Sequence, residues 1–339
     1  MSKFLVIMGP KIGDVIATTP LLRNIKKYKP SAEVYVYITT HYGDGIKVLK
    51  ELGYVDKILY VDESSKISIF KFVLEYRNKF DYIVDTFKST NKKALFIKLL
   101  NARKFSVGFN TCSLCLFYDK LVKYKNEKIV LAESKLLSKI FGIRLRKLDL
   151  SLEFPEKLSK KNLLVQSVLG KFKFRITIFV GQKIRSLSDE KWQRLIDLLR
   201  EKYPHSGIFL IGSNDCMWAN IKNFDYDFRK KLSFEESVFL LKKTDLFITS
   251  NGGPMWIAAA LGTKTIAIHG PSLFAWEPET DNVLNLRPYK YPDCQPCEGR
   301  CYLPEYRQFE CLNSINLNNI ISLIDKFILN LKRQNYPYN

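Results

Sequence analysis

Apolar runs of strand length alternate along this chain with longer amphipathic stretches. In the first half, Phe4–Met8, Val34–Ile38, Lys57–Val61, Tyr82–Asp85 and Phe105–Phe109 predict strands, and Ile46–Leu52, Ile67–Lys79 and Lys92–Leu100 predict helices between them. A helix between successive strands permits parallel pairing, so the pattern implies βαβ units and a parallel sheet covered by helices on both faces. The alternation weakens around Ser151–Lys171, where Lys, Ser and Pro155 interrupt it, and resumes with Arg175–Val180, Ile208–Ile211, Leu246–Thr249 and Thr265–His269. Ser188-Asp189-Glu190 supplies an N-cap and an acidic first turn to a helix over Lys191–Tyr203, and Ser233 with Glu236 forms a capping box for the next. Two Rossmann-like α/β domains in tandem are predicted, over residues 1–165 and 166–339. No repeat of solenoid period and no low-complexity tract is visible.

Length agrees with that division, since 339 residues exceed one compact core and suit two domains of about 150 each. The hydrophobic fraction, 46%, is that of an ordinary globular protein and argues against global disorder. The first apolar stretch, Phe4–Met8, is too short for a signal-peptide core, and no later run approaches the roughly 18 apolar residues of a membrane span. These features predict a cytoplasmic protein.

Charge changes the picture more. Lys and Arg number 54 against 34 Asp and Glu, a formal net charge of +20, and self-repulsion of that size gives nothing to a fold. One reading is lysines spread over solvated helix faces; the other is an anionic partner. The lysines are dispersed and no nucleic-acid module occurs, which argues against nucleic acid. An anionic membrane surface or glycolipid fits better. The segment Lys88–Lys104 sets Leu95, Phe96, Leu99 and Leu100 among bases, either as a core helix with a basic outer face or as a surface resting on lipid at the inner face of the cytoplasmic membrane.

Two glycine turns carry the candidate chemistry. Ser250-Asn251-Gly252-Gly253-Pro254-Met255-Trp256 follows the apolar run ending at Thr249 and opens the small-residue stretch Ile257–Gly262. A strand that ends in paired glycines and turns into a helix brings backbone N–H groups and a positive helix end to one exposed point, which suits a diphosphate. Near the N-terminus, strand Phe4–Met8 is followed by Gly9-Pro10-Lys11-Ile12-Gly13-Asp14. That loop lacks the spacing of a dinucleotide fingerprint and the ending of a P-loop. Its distinctive element is Gly13-Asp14, a carboxylate at the mouth of an α/β sheet; on local grounds the same Asp reads as a helix N-cap. Thr18 and Thr19 are placed to hold phosphate or acceptor groups, or Thr19 is an N-cap with Pro20 at the first helical position.

Ile12-Gly13-Asp14 followed by Thr18-Thr19-Pro20-Leu21-Leu22 closely resembles the opening motif of glycosyltransferase family 9, which includes the lipopolysaccharide heptosyltransferases. Phe80–Asp85, Ser106–Phe109, the Asn251–Gly262 segment and Gly270-Pro271 extend the resemblance over nearly the full length. It implies a GT-B fold, two Rossmann-like domains facing across a cleft, an N-terminal acceptor side and a C-terminal nucleotide-sugar side. It places Asp14 where the family has its catalytic base, able to take the proton of an acceptor hydroxyl as it attacks the anomeric carbon with inversion. It also implies work without a catalytic metal, the departing nucleoside diphosphate being met by basic side chains and helix N-termini. Phe179–Arg185 stands where the family has a glycine turn followed by Lys, with Arg185 the nearest match and Lys183 a substitute. The donor motif departs from the family's Asp-Thr-Gly-Pro-Met-His: Asn251, Gly252 and Trp256 replace Asp, Thr and His. The donor therefore need not be ADP-heptose, and Trp256 either stacks on a base or sugar or packs in the core.

Of seven cysteines, Cys294, Cys297, Cys301 and Cys311 crowd one loop-rich segment, 294–311. In a reducing compartment their spacing suits a tetrahedral site for zinc or iron, or free thiols. The segment resembles a Cys-Pro-Cys cluster of the family, in which autotransporter heptosyltransferases carry a four-cysteine iron site, so a structural metal is the expectation. Cys112 and Cys115 form a further CxxC with no second pair nearby and are expected in a helix or the core; Cys216 has no evident role.

The expected function is an inverting glycosyltransferase moving a heptose or related sugar from a nucleoside-diphosphate donor to a lipopolysaccharide core or other surface glycan. The alternatives are a non-catalytic sugar-nucleotide or glycan-binding protein, suggested by the altered donor motif, and a GT-B-fold epimerase or hydrolase. Asp14 favours the enzyme.

Overall fold

Each apolar run of the first half becomes a strand in the computed structural model, which describes residues 1–39, 44–61, 64–86, 89–125, 127–143, 148–154, 160–271, 274–288, 294, 297, 301, 303–304 and 309–334. The chain divides into two units, Met1–Leu150 with Phe274–Trp276, and Ser151–Leu273 with Glu277–Asn339.

In the first unit β1 (Lys3–Ile7), β2 (Glu33–Thr39), β3 (Lys57–Val61), β4 (Tyr82–Asp85), β5 (Phe105–Phe109) and β6 (Lys120–Val122) form one sheet in the order β3-β2-β1-β4-β5-β6. All of its pairs are parallel, with Leu5 opposite both Tyr35 and Ile83. The helices are α1 (Ile12–Tyr28), α2 (Asp44–Leu49), α3 (Lys66–Tyr76), α4 (Asn91–Leu100) and α5 (Ile129–Phe141). Leu5, Ile7, Ile83, Phe72, Ala94 and Ile97 belong to one buried cluster that joins the sheet to α3 and α4.

The second unit contains α6 (Lys160–Leu169), β7 (Arg175–Phe179), α7 (Asp189–Lys202), β8 (Gly207–Leu210), β9 (Tyr226–Asp227), α8 (Phe234–Lys242), β10 (Leu246–Ser250), α9 (Gly253–Leu261), β11 (Thr265–Ile268), β12 (Val283–Leu286), α10 (Glu310–Asn313) and α11 (Leu317–Gln334). Its sheet is again all-parallel, in the order β12-β11-β10-β7-β8-β9. Ser188 caps α7 and Ser233 with Glu236 forms the capping box of α8, as their spacing predicts. Counted from its own first strand, each sheet runs 3-2-1-4-5-6, the doubly wound order. This α/β architecture is that of two Rossmann-like units, as expected for GT-B. Among the described residues no helix is long and apolar enough to cross a membrane.

The first helix departs from expectation. It begins at Ile12 and encloses Pro20, so Thr19 is not an N-cap. Pro20 has no N–H to give the carbonyl of Ile16, and Thr19 Oγ1 supplies that bond at 2.8 Å.

Candidate active site

Ligands of doubly wound sheets bind beyond the C-terminal ends of the strands, where the strand order reverses. In the first unit that point lies between β1 and β4. The chain leaves β1 through Met8-Gly9-Pro10 and enters α1, whose first turn carries Gly13 and Asp14. Asp14 Oδ2 accepts the N–H of Lys11 at 3.1 Å, so the carboxylate caps the helix from within while half-buried at the sheet mouth. Gly9 makes room for it: a Cβ there would lie 2.3 Å from Asp14 Oδ2. Burial raises the Asp14 pKa above the ordinary carboxylate value, against the opposing pull of the Lys11 N–H and the charges of Lys11 and Lys93.

Two further carboxyls surround it. Asp85, at the end of β4, is fully buried; its Oδ2 accepts Tyr118 OH at 2.7 Å and Ser89 Oγ at 2.9 Å, and its Oδ1 lies 3.3 Å from Lys93 Nζ. Glu133, on α5, is 3% exposed and shares a hydrogen bond with Thr18 Oγ1 at 3.1 Å through Oε1, while Oε2 has no hydrogen-bond partner among the described residues. Burial pushes the Glu133 pKa well up; the Thr18 hydroxyl opposes this, and the charges of Asp14 and Asp85 add to it. Burial of this kind favours the neutral form over the charged one. Thr18 and Thr19, expected to touch a ligand, are 1% and 0% exposed, and their hydroxyls serve Asp14 O, Glu133 and Ile16 O inside the unit.

In the second unit the strand order reverses between β7 and β10. After β7 the chain turns at Gly181, whose φ of 75° lies in the left-handed region and whose missing Cβ would meet Ser250 Cβ at 3.0 Å. The 3-10 turn Lys183–Arg185 follows, with Lys183 exposed and Arg185 half-buried. Ser186 pins this turn: its hydroxyl takes Trp192 Nε1 at 2.7 Å and lies 3.2 Å from Ser250 Oγ at the end of β10. The structure thus brings the Lys183–Arg185 turn and the Asn251-Gly252-Gly253 turn to the same sheet end. Gly252 admits the Phe179 ring, which stands 3.0 Å from where a Cβ would be. α9 starts at Gly253 with Pro254 in its first turn. Trp256 is only 3% exposed, so its indole packs in the core and is not available for stacking on a ligand.

A buried imidazole that sequence reasoning left inside a strand end stands beside this turn. His269 Nε2 donates to Asn285 Oδ1 at 2.8 Å, an orientation set by Asn285 Nδ2 donating to Pro278 O at 2.9 Å. Its Nδ1 lies 3.4 Å from the amide nitrogen of Asn251 and 3.8 Å from Glu277, which also pairs with Arg287. An open depression of about 410 Å³ lined by Lys173, Lys242 and Lys264 lies at the opposite, N-terminal edge of this sheet, away from these groups.

The cysteines bear on two expectations. Much of the segment 294–311 lies outside the described residues. Cys294 does have Cys297 and Cys301 near it, and burial pushes its thiol pKa up. Cys311, however, is turned by α10 into the apolar core of the second unit, 4% exposed, and Cys301 Sγ lies 3.5 Å from the N–H of Phe309. Among the described residues no group of three or more His, Cys, Asp or Glu side chains is arranged to hold a metal, which leaves the expected four-thiol zinc or iron site without support. Cys112 and Cys115 cap and enter the 3-10 turn Ser113–Phe117, and Cys115 is buried in the core of the first unit, as expected; the disulfide that joins them, with Cα atoms 5.3 Å apart, is an addition to that expectation.

The model of glycosyltransferase family 9 (heptosyltransferase) matches residues 70–301, more than half of the chain. Lipopolysaccharide heptosyltransferase 1 of Campylobacter coli is 26% identical over 298 residues, covering 79% of this chain and 84% of that protein. The crystal structure of a family 9 glycosyl transferase from Veillonella parvula superposes with a TM-score of 0.77 at 16% identity, covering 97% of this chain and 98% of that one. The E. coli heptosyltransferase WaaC with ADP-2-deoxy-2-fluoro heptose superposes with a TM-score of 0.67 at 17% identity, over 96% and 99% of the two chains.

Proposed function

Since the chain belongs to glycosyltransferase family 9, the heptosyltransferase family, we propose that it is an inverting transferase moving a heptose or related sugar from a nucleoside-diphosphate donor to a lipopolysaccharide core or other surface glycan. The observation that carries the mechanism is Asp14, half-buried at the switch point of the first sheet with its carboxylate fixed by Lys11 N–H. Asp14 removes the proton of the acceptor hydroxyl as that oxygen attacks the anomeric carbon. The bond from the anomeric carbon to the diphosphate oxygen breaks on the opposite side, which inverts the centre, and the electron pair leaves with the diphosphate. Lys183, Arg185 and the N-terminus of α9 stabilise the charge that collects there.

ADP is the favoured nucleotide, by analogy with the ADP-sugar analogue held by WaaC. The sugar pocket differs from the family pattern at Asn251, Gly252 and Trp256; Asn251, half-buried, supplies an amide there, and the fully buried His269 acts only by orienting it. The acceptor is an anionic glycolipid, and the net charge of +20 suits work at the inner face of the cytoplasmic membrane.

The test is sugar transfer from ADP-heptose to heptose-deficient core lipopolysaccharide, followed by mass spectrometry, beside thermal-shift screening with ADP-, GDP-, UDP- and dTDP-sugars. Transfer with a stabilising donor is expected. Stabilisation by a donor with no transfer to any core acceptor would instead assign the chain to sugar-nucleotide binding.

A further inference from the structure

The helices on one side of the first sheet carry an apolar surface that the chemistry at Asp14 does not use. On α3, Phe72 and Val73 face the core, whereas Ile67, Phe70 and Leu74 are 68%, 62% and 63% exposed. Their spacing, i, i+3 and i+7, sets them on one stripe opposite the buried one. On α4, Ala94, Ile97 and Leu100 are buried, and Leu95 and Leu99, one turn apart on the outer face, are 47% and 45% exposed. The two helices pack on each other, with the Phe72 and Phe96 rings 5.7 Å apart. The 3-10 turn Ser113–Phe117 is tied to the start of α4 by Leu114 N–H donating to Asn91 Oδ1 at 2.9 Å, and it adds Leu116, 85% exposed. Single exposed apolar residues are ordinary on a protein surface; six large ones on three adjoining elements mark a contact surface.

The charge around them is one-signed. Lys66, Lys71, Arg77, Lys92 and Lys98 are all exposed, and Glu75 is the only acidic residue of α3 and α4. We propose that this face of α3, α4 and the Ser113–Phe117 turn docks on an anionic lipid bilayer, the apolar side chains entering the headgroup and acyl boundary and the lysines meeting the lipid phosphates. Both helices are too short to span a bilayer, so the apolar side chains can only enter its surface. A second copy of the chain is a poorer occupant, because a two-fold contact would set this row of lysines against itself.

The inner edge of α4 gives the docking a purpose. Lys93 lies 3.3 Å from Asp85, and its charge acts on Asp14. The first turn of α4 thus borders the candidate site, and a bilayer met by the outer face of the same helix would lie on that unit. That purpose rests on the transferase reading, but the docking itself does not.

The experiment is flotation of the full chain with vesicles of phosphatidylcholine alone and of phosphatidylcholine mixed with phosphatidylglycerol. The protein is expected to float with the anionic vesicles, less so as salt rises, and hardly with the neutral ones. Phe70→Ser with Leu74→Ser is expected to lower the partition about tenfold or more, since each side chain loses most of its apolar burial in the lipid. Both residues are exposed, so the variant is expected to keep its melting temperature and its affinity for ADP. Failure to float with either vesicle, or flotation unchanged in the double variant, overturns the proposal. So does light scattering that shows a dimer dissociated by the same substitutions, which would give the face to a second copy. Flotation as expected, with no sugar transfer to any acceptor, would leave the docking surface standing and remove the transferase reading.

Discussion

Thr18 Oγ1 stands 3.1 Å from Glu133 Oε1 while lying 2.9 Å from the main-chain oxygen of Asp14. A hydroxyl has one proton to give. If it goes to the Asp14 carbonyl, Glu133 must be the donor in the other bond, which requires a protonated carboxyl. If it goes instead to Glu133, it favours the carboxylate, so the raised pKa of Glu133 comes from burial and from the charges of Asp14 and Asp85 and not from this bond.

Glu133 therefore sets a pH dependence of stability. Its folded-state pKa is raised, so its contribution is fully present below the unfolded value of about 4.3 and is lost as pH rises through the folded value. Glu133→Gln keeps a donor for Thr18 without the ionisation. Melting curves of the two proteins from pH 5 to pH 9 are expected to separate progressively in favour of the variant. Parallel curves would show that Glu133 is already ionised at the lower end.

Asp14→Ala is expected to lower turnover by about two to four orders of magnitude, the usual worth of a general base, while donor affinity by calorimetry stays nearly intact. In the wild-type enzyme kcat/KM is expected to fall on the acid side as Asp14 gains its proton. Because burial raises that pKa, the fall should lie above the ordinary carboxylate range near 4. Near-normal turnover in the alanine variant would take Asp14 out of the mechanism.

Gly9→Ala should act on the same carboxylate from the other side. The added methyl would sit 2.3 Å from Asp14 Oδ2, so Asp14 must leave its bond with Lys11 N–H. A loss of turnover of about tenfold or more is expected, with donor affinity unchanged. Full activity would mean that the observed Asp14 rotamer is not the working one.

Arg185→Ala and Gly253→Val test the second unit, the first by removing a cation, the second by placing a branched side chain at the first residue of α9. Calorimetry with ADP is expected to show weakening by about tenfold in each. Unchanged affinity in both would move the diphosphate site elsewhere.

Thiol counts check the cysteine assignments. Denatured, unreduced protein is expected to titrate five thiols, Cys216, Cys294, Cys297, Cys301 and Cys311, and two more after reduction of Cys112–Cys115. Protein purified without added metal is expected to carry well under one zinc or iron per chain, and a full equivalent lost on Cys311→Ala would restore the four-thiol site.

The long strands were legible because each is an apolar run with a helix-length stretch on either side. β6, β9 and β12 were not: they hold three, two and four residues, and partners supplied by the sheet define them more than their own composition. Pro20 misled for a local reason, since it reads as a helix start until Thr19 is seen to bond Ile16 O. Asp14 and both glycine turns stood out by their place after a strand. Glu133 did not, because its partner Thr18 lies 115 residues away, although an acid among Ile129, Val130, Ala132, Leu136 and Leu137 was a visible anomaly on an apolar face. Trp256 shows the converse: a helix of small residues left its indole only the core.

Every described strand pair in both sheets is parallel. No hairpin can therefore nucleate either sheet, and each ladder must wait for a connecting segment to be traversed. Loop closure precedes the reward of pairing at every step, which makes for slow folding and prolonged exposure of edges such as β1 and β10 before their neighbours arrive. Refolding yield is thus expected to drop steeply with concentration, and slower synthesis at low temperature to raise the soluble fraction, whatever sugar the mature protein transfers.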